Sequence, residues 1–229
     1  MSFITPRIAV VGLGAALLAT AGCGGSGGKL PAGSDLLKQS STAMSTVTSV
    51  SFALRTEGQP GIPVKSADGK LLKSGDAQGS MQVSQLGLSV QLDFTLVGNT
   101  VYIKGLTGGV QKLDKSAVTK QYDPSAILDP QRGVSALLAK ATGAKTVGKQ
   151  SVNGQDAYDV TATLPKDAAA SLVPGLAKDV AGEVWISTKD HRLLKVKATI
   201  PAADGKTTGA VTVTLSDFNG KFTITPPAS

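Results

Sequence analysis

The chain has almost none of the residues that usually carry catalysis or metal binding. Among 229 residues there is one cysteine and one histidine. A single cysteine excludes an internal disulfide and any zinc cluster built on thiolates. A single histidine excludes a histidine-rich metal site, and a catalytic triad would rest on His191 alone. Aromatic residues make up 4% of the chain, so the largest space-filling side chains are scarce. No run reaches the ~18 uninterrupted apolar residues of a membrane-spanning helix. Glycine is frequent, at 27 residues, but lacks the period of collagen, and a 41% hydrophobic content excludes a disordered chain. The net charge is +7 with lysines scattered rather than clustered, which suits attraction to anionic lipids; no nucleic-acid partner is expected. The length fits one domain or two small ones.

What is present begins with an address. Arg7 gives a short positive start, residues 8–21 are apolar and uncharged, and Thr20-Ala21-Gly22 are small. That is the pattern of a signal peptide over residues 1–22. The only cysteine follows at once, in Leu17-Leu18-Ala19-Thr20-Ala21-Gly22-Cys23. This looks like a bacterial lipobox, with Thr20 where leucine is commoner. It implies that Cys23 is lipidated at sulfur, becomes the mature N-terminus and carries the membrane anchor. Each buried methylene adds ~0.8 kcal/mol of membrane affinity, so two or three chains hold where one does not. The alternative is an ordinary secretory leader with an incidental cysteine. Residues 24–33 then read as a flexible glycine-rich tether, and residues 34–229 as a single domain.

Two motifs here are false. Gly12-Leu13-Gly14 imitates a dinucleotide turn, but the third glycine and the βαβ context are missing. Gly24-Gly25-Ser26-Gly27-Gly28 matches G-x-S-x-G without the strand and helix that a nucleophile elbow needs.

The body alternates with period two. Leu88, Val90, Leu92, Phe94 and Leu96 alternate with polar residues, Gly98-Asn99 marks a turn, and Val101 and Ile103 return. Val50, Phe52 and Leu54, and Met81 and Val83, suggest earlier strands. Later runs are centred on Tyr158 to Leu164, Val184 to Ile186, Leu194 to Ile200 and Val211 to Leu215, with Phe222 and Ile224 closing the series. Asn153-Gly154, Lys189-Asp190, Asp204-Gly205 and Asn219-Gly220 lie between the runs; Asn-Gly and Asp-Gly are strong hairpin signals. Such strands have one dry face and one wet face. Helices are few. Ser34 is a candidate N-cap before Leu36, Leu37, Met44 and Val47. Asp123-Pro124 and Asp129-Pro130 place a capping Asp before a first-turn Pro. Val134, Leu137, Leu138 and Ala141 form an apolar stripe. A last short helix starts at Pro165. The element order is α+β, an antiparallel meander whose apolar face rolls up, pairs with a second sheet or takes helices across it. Filled by small aliphatic side chains, a curved sheet leaves an apolar hollow; the alternative is an ordinary close-packed core.

The lipobox and tether, strand 88–96 with its return 98–104, the stretch 127–138, the Val184-Trp185-Ile186 strand and the run 213–218 together resemble the LppX/LprA/LprF/LprG family of actinobacterial envelope lipoproteins, over roughly residues 34–226. The resemblance implies a half-barrel: a strongly curved antiparallel β-sheet with short helices across its concave face, similar to the LolA/LolB carriers. It implies an apolar cavity that holds acyl chains of lipids or glycolipids, and export across the envelope, with a membrane transporter as a partner in several members. The loop 59–69 has no counterpart in it and is a candidate for reshaping the cavity mouth.

On this reading Val50, Phe52, Leu54, Met81, Val83, Leu88, Val90, Leu92, Phe94, Leu96, Val101 and Ile103 are candidates for the concave wall, and Val134, Leu137 and Leu138 for a helical lid. An acyl groove needs only apolar lining, but each residue taken alone reads first as core packing. Trp185 reads as packing, His191 as a solvated turn residue, and Lys195 and Lys197 as the exposed face of one strand. The expected protein is a monomeric carrier without cofactor, metal or enzymatic activity. It is lipid-anchored on the outer leaflet of the cell membrane, facing the periplasm-like or extracellular space. The competing classes are an envelope esterase or acyltransferase, and a docking lipoprotein without ligand.

Overall fold

The computed structural model describes residues 29–58, 60–85, 88–105, 109–119, 124–173, 176–201 and 208–228. The expected leader, Cys23, the tether up to residue 28, Asp123 and the Asp204-Gly205 turn lie outside them.

Eleven strands form one antiparallel sheet: β1 (Ser49–Gly58), β2 (Val64–Leu72), β3 (Ala77–Gln85), β4 (Leu88–Val97), β5 (Thr100–Lys104), β6 (Val110–Asp114), β7 (Thr142–Val152), β8 (Gln155–Leu164), β9 (Val180–Ser187), β10 (Leu193–Pro201) and β11 (Thr208–Ser216). Their order is β6-β5-β4-β3-β2-β1-β11-β10-β9-β8-β7. Two meanders therefore meet at a central seam, where the first strand pairs with the last, from Ser51↔Ser216 to Gly58↔Gly209. Among the described residues β6 and β7 have no further strand partner, so the sheet is open. The hairpin turns are made where positive φ comes at low cost: Gly98 at φ 56°, and Asn153 and Gly154 at 50° and 77°.

The chain crosses from edge strand β6 to edge strand β7 by way of α2 (Lys115–Thr119), a 3₁₀ turn (Pro124–Ala126) and α3 (Val134–Lys140). Helix α1 (Gly33–Ser45) packs on α3 and β7, and the short α4 (Lys166–Ala169) joins β8 to β9. Leu36, Leu37, Ser40 and Met44 give α1 one buried face. They meet Val50, Leu71, Leu96, Val101, Leu128, Val134, Leu138, Val160 and Ile186 in the main core. The architecture is the expected α+β half-barrel.

Several local readings are corrected. Ala32, not Ser34, occupies the N-cap of α1, without a side-chain capping bond. Docking sets this start: a Cβ on Gly33 would come within 2.8 Å of the Ala144 and Lys145 backbone. Asp129 does not open a helix. Its Oδ1 accepts from the N–H of Gln131 (2.8 Å) and of Arg132 (3.2 Å), forming a turn, and α3 starts after Gly133. The segment 59–69 is not a loop throughout, because β2 begins at Val64 and is paired on both sides. Its polar sequence carries no alternation; neighbouring strands impose the conformation. Phe222 and Ile224 form no strand. Both edges of β11 are already taken by β1 and β10. Asn219, at φ 59°, turns the chain away, and its Oδ1 accepts from the Thr48 N–H (2.9 Å) and hydroxyl (3.1 Å).

Candidate functional site: a half-covered apolar face

The strand register sorts the side chains into rows across the sheet. The first row runs Val50↔Leu71↔Ala77↔Leu96↔Val101. All five are at most 4% exposed, beneath the helices. The next row is Phe52↔Gly69↔Gly79↔Phe94↔Ile103. Two glycines thus sit between two phenylalanines, and the floor there rises no higher than backbone. The strands approach so closely that a Cβ on Gly79 would lie 2.1 Å from the Asp68 carbonyl oxygen. A third row joins Leu54, Ala67, Met81 and Leu92 on one side of the seam to Val213, Val196, Val184 and Val160 on the other.

Coverage falls along this face. Phe52, Leu54, Met81, Val83, Val90, Leu92, Phe94 and Ile103 are only half-buried. Leu88, at the end of β4, is 70% exposed. The burial of β4 rises steadily from Leu88 towards Leu96. On the β8–β9 side the cover reaches further, because Leu137 of α3 packs with Leu164, Ala168, Ala169 and Val180. The uncovered strip is therefore widest over β1 to β4. Its side chains are apolar except Thr56, which shares the face towards the far end of β1.

The structure brings nine of the fifteen expected residues onto this strip: Phe52, Leu54, Met81, Val83, Leu88, Val90, Leu92, Phe94 and Ile103. Val50, Leu96 and Val101 lie under the helices as core. Val134, Leu137 and Leu138 lie buried in α3, the helical cover. The sequence reading missed Gly69 and Gly79; isolated glycines inside strands were the available signal. It also missed Val196 and Val213, which continue the face across the seam.

The cover is fixed by polar bonds. Ser41 of α1 donates its hydroxyl to the Ser135 carbonyl oxygen (2.9 Å), and Ser135 of α3 donates to the Ser41 carbonyl oxygen (2.7 Å). Before α3, the Asp129 carboxyl is held below the usual range by the Gln131 N–H and by Arg132, whose guanidinium lies 3.1 Å away.

The opposite face is wet. A groove of about 800 Å³ lies there beside Pro227 of the C-terminal segment, lined by Asp68, Lys70, Ser80, Asp93 and Tyr102 among others. At the other end of this face Trp185 packs with Val152, Ala157 and Leu194. Its indole N–H donates to Gln150 Oε1 (3.1 Å), and Gln150 Nε2 donates to Asp159 Oδ2 (2.7 Å). The Lys195 ammonium stands 3.6 Å from the centre of the indole ring. Asp159 is 2% exposed, and burial, then the neighbouring Glu183, push its carboxyl up to about 6. Its Oδ1 has no donor unless one of the two acids carries a proton. His191 occupies the β9–β10 turn at φ 58°, away from the apolar strip.

The solved structure of LprF from Mycobacterium bovis superposes with a TM-score of 0.74 at 24% identity, covering 86% of this chain and 97% of that one. LppX from Mycobacterium tuberculosis gives 0.63 at 21% identity, over 84% and 97%. Among curated proteins, the lipoarabinomannan carrier protein LprG of Mycolicibacterium smegmatis is 34% identical over 98% of both chains. Its namesake from Mycobacterium leprae is 30% identical over 94% of this chain and 92% of that one. The profile of the LppX_LprAFG lipoproteins matches residues 32–224, and with that match over most of its length the chain belongs to the LppX_LprAFG lipoprotein family.

Proposed function

We propose that this protein is a non-enzymatic carrier that holds the acyl chains of a lipid or glycolipid against the open strip of its sheet. The observation that carries the reading is the half-covered row of aliphatic and phenylalanine side chains from Leu88 to Phe52. Contiguous exposed apolar surface of this kind is unfavourable in water and marks a binding site. The strip offers no charged partner, which suits hydrocarbon, at ~0.8 kcal/mol per buried methylene. Relatives named as lipoarabinomannan carriers make a mannosylated glycolipid the first ligand to try.

Acylated Cys23 anchors the domain in the outer leaflet of the cytoplasmic membrane, with residues 24–32 as tether, one residue shorter than the 24–33 read from the sequence because Gly33 is already the buried first residue of α1. Among the described residues no helix is long and apolar enough to cross a membrane. The carrier acts as a monomer and passes its lipid to an acceptor membrane or to a membrane transporter.

The test is to purify the acylated full-length protein from an actinobacterial host and identify extracted lipids by mass spectrometry. Near-stoichiometric lipid is expected, lost in Leu54→Arg. A protein that comes away empty, or one that turns over ester substrates, overturns the reading.

A further inference from the structure

The groove on the wet face, at about 800 Å³, has the size of a small-ligand site. Two neighbouring rows of side chains cross it. The first runs Lys70↔Gln78↔Thr95↔Tyr102, and the second Asp68↔Ser80↔Asp93↔Lys104. All of them line the groove.

Thr95 is the central residue. It is 6% exposed, and its hydroxyl has no hydrogen bond among the described residues. A buried hydroxyl bonds whatever fills the space in front of it. Gln78, Ser80 and Asp93 also lack a side-chain bond or ion pair among the described residues. The four form the corners of a rectangle. Gln78 is opposite Thr95 and Ser80 opposite Asp93, about 5 Å apart across the strands and about 6.5 Å along them. Tyr102 borders the rectangle on β5. Thr95 is its neighbour on one side; on the other, Lys112 of β6 stands 5.8 Å from the ring centre.

The charges restrict the ligand. Arg55 holds Asp68 at 2.8 Å, and the Lys70 ammonium lies 5.0 Å from the centre of the Phe222 ring. Asp93 and Lys104 remain, one of each sign and paired in register, so neither an anion nor a cation is favoured. What the groove offers is an amide, two hydroxyls and a carboxylate beside one aromatic ring. Donors and acceptors interleaved in this way suit a neutral ring dense in hydroxyls. We propose that the groove is a saccharide-binding site, in which Gln78, Ser80, Asp93 and Thr95 bond sugar hydroxyls and Tyr102 packs against a sugar ring. It is distinct from the acyl strip, because neighbours along a strand point to opposite faces: Phe94 and Ile103 belong to the strip, Thr95 and Tyr102 to the groove. The saccharide is the glycan of a glycolipid or a separate envelope glycan; both present the same hydroxyls.

The test titrates the full-length protein with lipid-free mannotetraose, maltotetraose and an arabinose tetramer in a calorimeter. Millimolar or tighter binding of at least one is expected. Asp93→Asn and Tyr102→Ala are each expected to weaken it roughly tenfold, and Thr95→Val, which keeps the shape, roughly fivefold. Lys189→Ala, in the β9–β10 turn, is expected to leave it unchanged. No binding of any of the three, or affinity that the groove variants do not alter, overturns the proposal. A diazirine-bearing form of the sugar that binds is applied to the parent protein, so this readout is independent of how the variants fold. Label on residues 93–104 is expected, and label confined to other segments overturns the site. Preloading with a mannosylated glycolipid separates the two sources: blocked oligosaccharide binding assigns the groove to the glycolipid's own glycan, and retained binding to a separate one, and both uphold the site. Lipid occupancy is measured on the same samples. Bound lipid without saccharide binding removes the groove and leaves the carrier. Saccharide binding without bound lipid removes the carrier and leaves the groove.

Discussion

Ser41 and Ser135 each donate a hydroxyl to the other's backbone carbonyl oxygen, at 2.9 and 2.7 Å, across the contact between α1 and α3. The two helices that cover the apolar face therefore form one unit. Ser41→Ala and Ser135→Ala are each expected to lower stability by about 1 kcal/mol. The double variant is expected to lose less than the sum, because the pair acts together. Urea unfolding of the four proteins measures the coupling; strict additivity contradicts the clamp.

Asp159 links stability to pH. Its carboxyl sits at about 6 in the fold against 3.8 for an aspartate free in water. Burial disfavours the charged form, so the folded state holds the proton over that window and the unfolded state does not. On this group's account stability is full below about pH 4 and falls as pH rises through about 6. The loss at neutral pH is on the order of 3 kcal/mol. Asp159→Asn keeps an acceptor for Gln150 and offers Glu183 a donor. It is expected to raise the urea midpoint at pH 7.5 and flatten the profile between pH 4 and 6. A midpoint equal to that of the parent at pH 7.5 rejects the assignment.

Asn219 combines a positive φ with two side-chain bonds to Thr48. Asn219→Gly keeps the backbone conformation and loses the bonds, so a cost of about 1 kcal/mol is expected. Asn219→Ala loses both and is expected to cost about 1 kcal/mol more. Thermal melts that rank alanine level with glycine argue against the conformational part.

The open strip and the covered row are expected to respond differently to truncation. Leu71→Ala removes a fully buried side chain and is expected to cost about 2–5 kcal/mol. Leu92→Ala, half-buried, is expected to cost under about 1.5 kcal/mol while reducing lipid occupancy. Paired melting curves and lipid extraction separate the two; similar losses of stability mean that the strip is core.

The period-two runs from Leu88 to Leu96 and from Val211 to Leu215 were legible because each strand has one wet face. β2 and β7 were not. Asp68, Gly69 and Lys70 carry no dry–wet alternation, and β7 carries shifts of register between Thr142 and Lys145 and between Thr146 and Gly148. The conformation of both strands comes from neighbours far away in sequence. That the apolar residues on β1 to β5 share one face was legible for the same reason that the strands were. Which of them stay uncovered was not, since that depends on where α1 and α3 come to rest. The seam between β1 and β11 has no local sequence signature at all.

That seam has a consequence for biogenesis. Ser51 finds its partner Ser216 only after nearly the whole chain has emerged from the ribosome. Until then both halves of the sheet lack their middle, and such distant pairing closes slowly. A polypeptide exported behind a leader, the role proposed above for residues 1–22, needs to remain threadable on the way. Here the strand that locks the architecture is made last, so the delay is written into the topology itself.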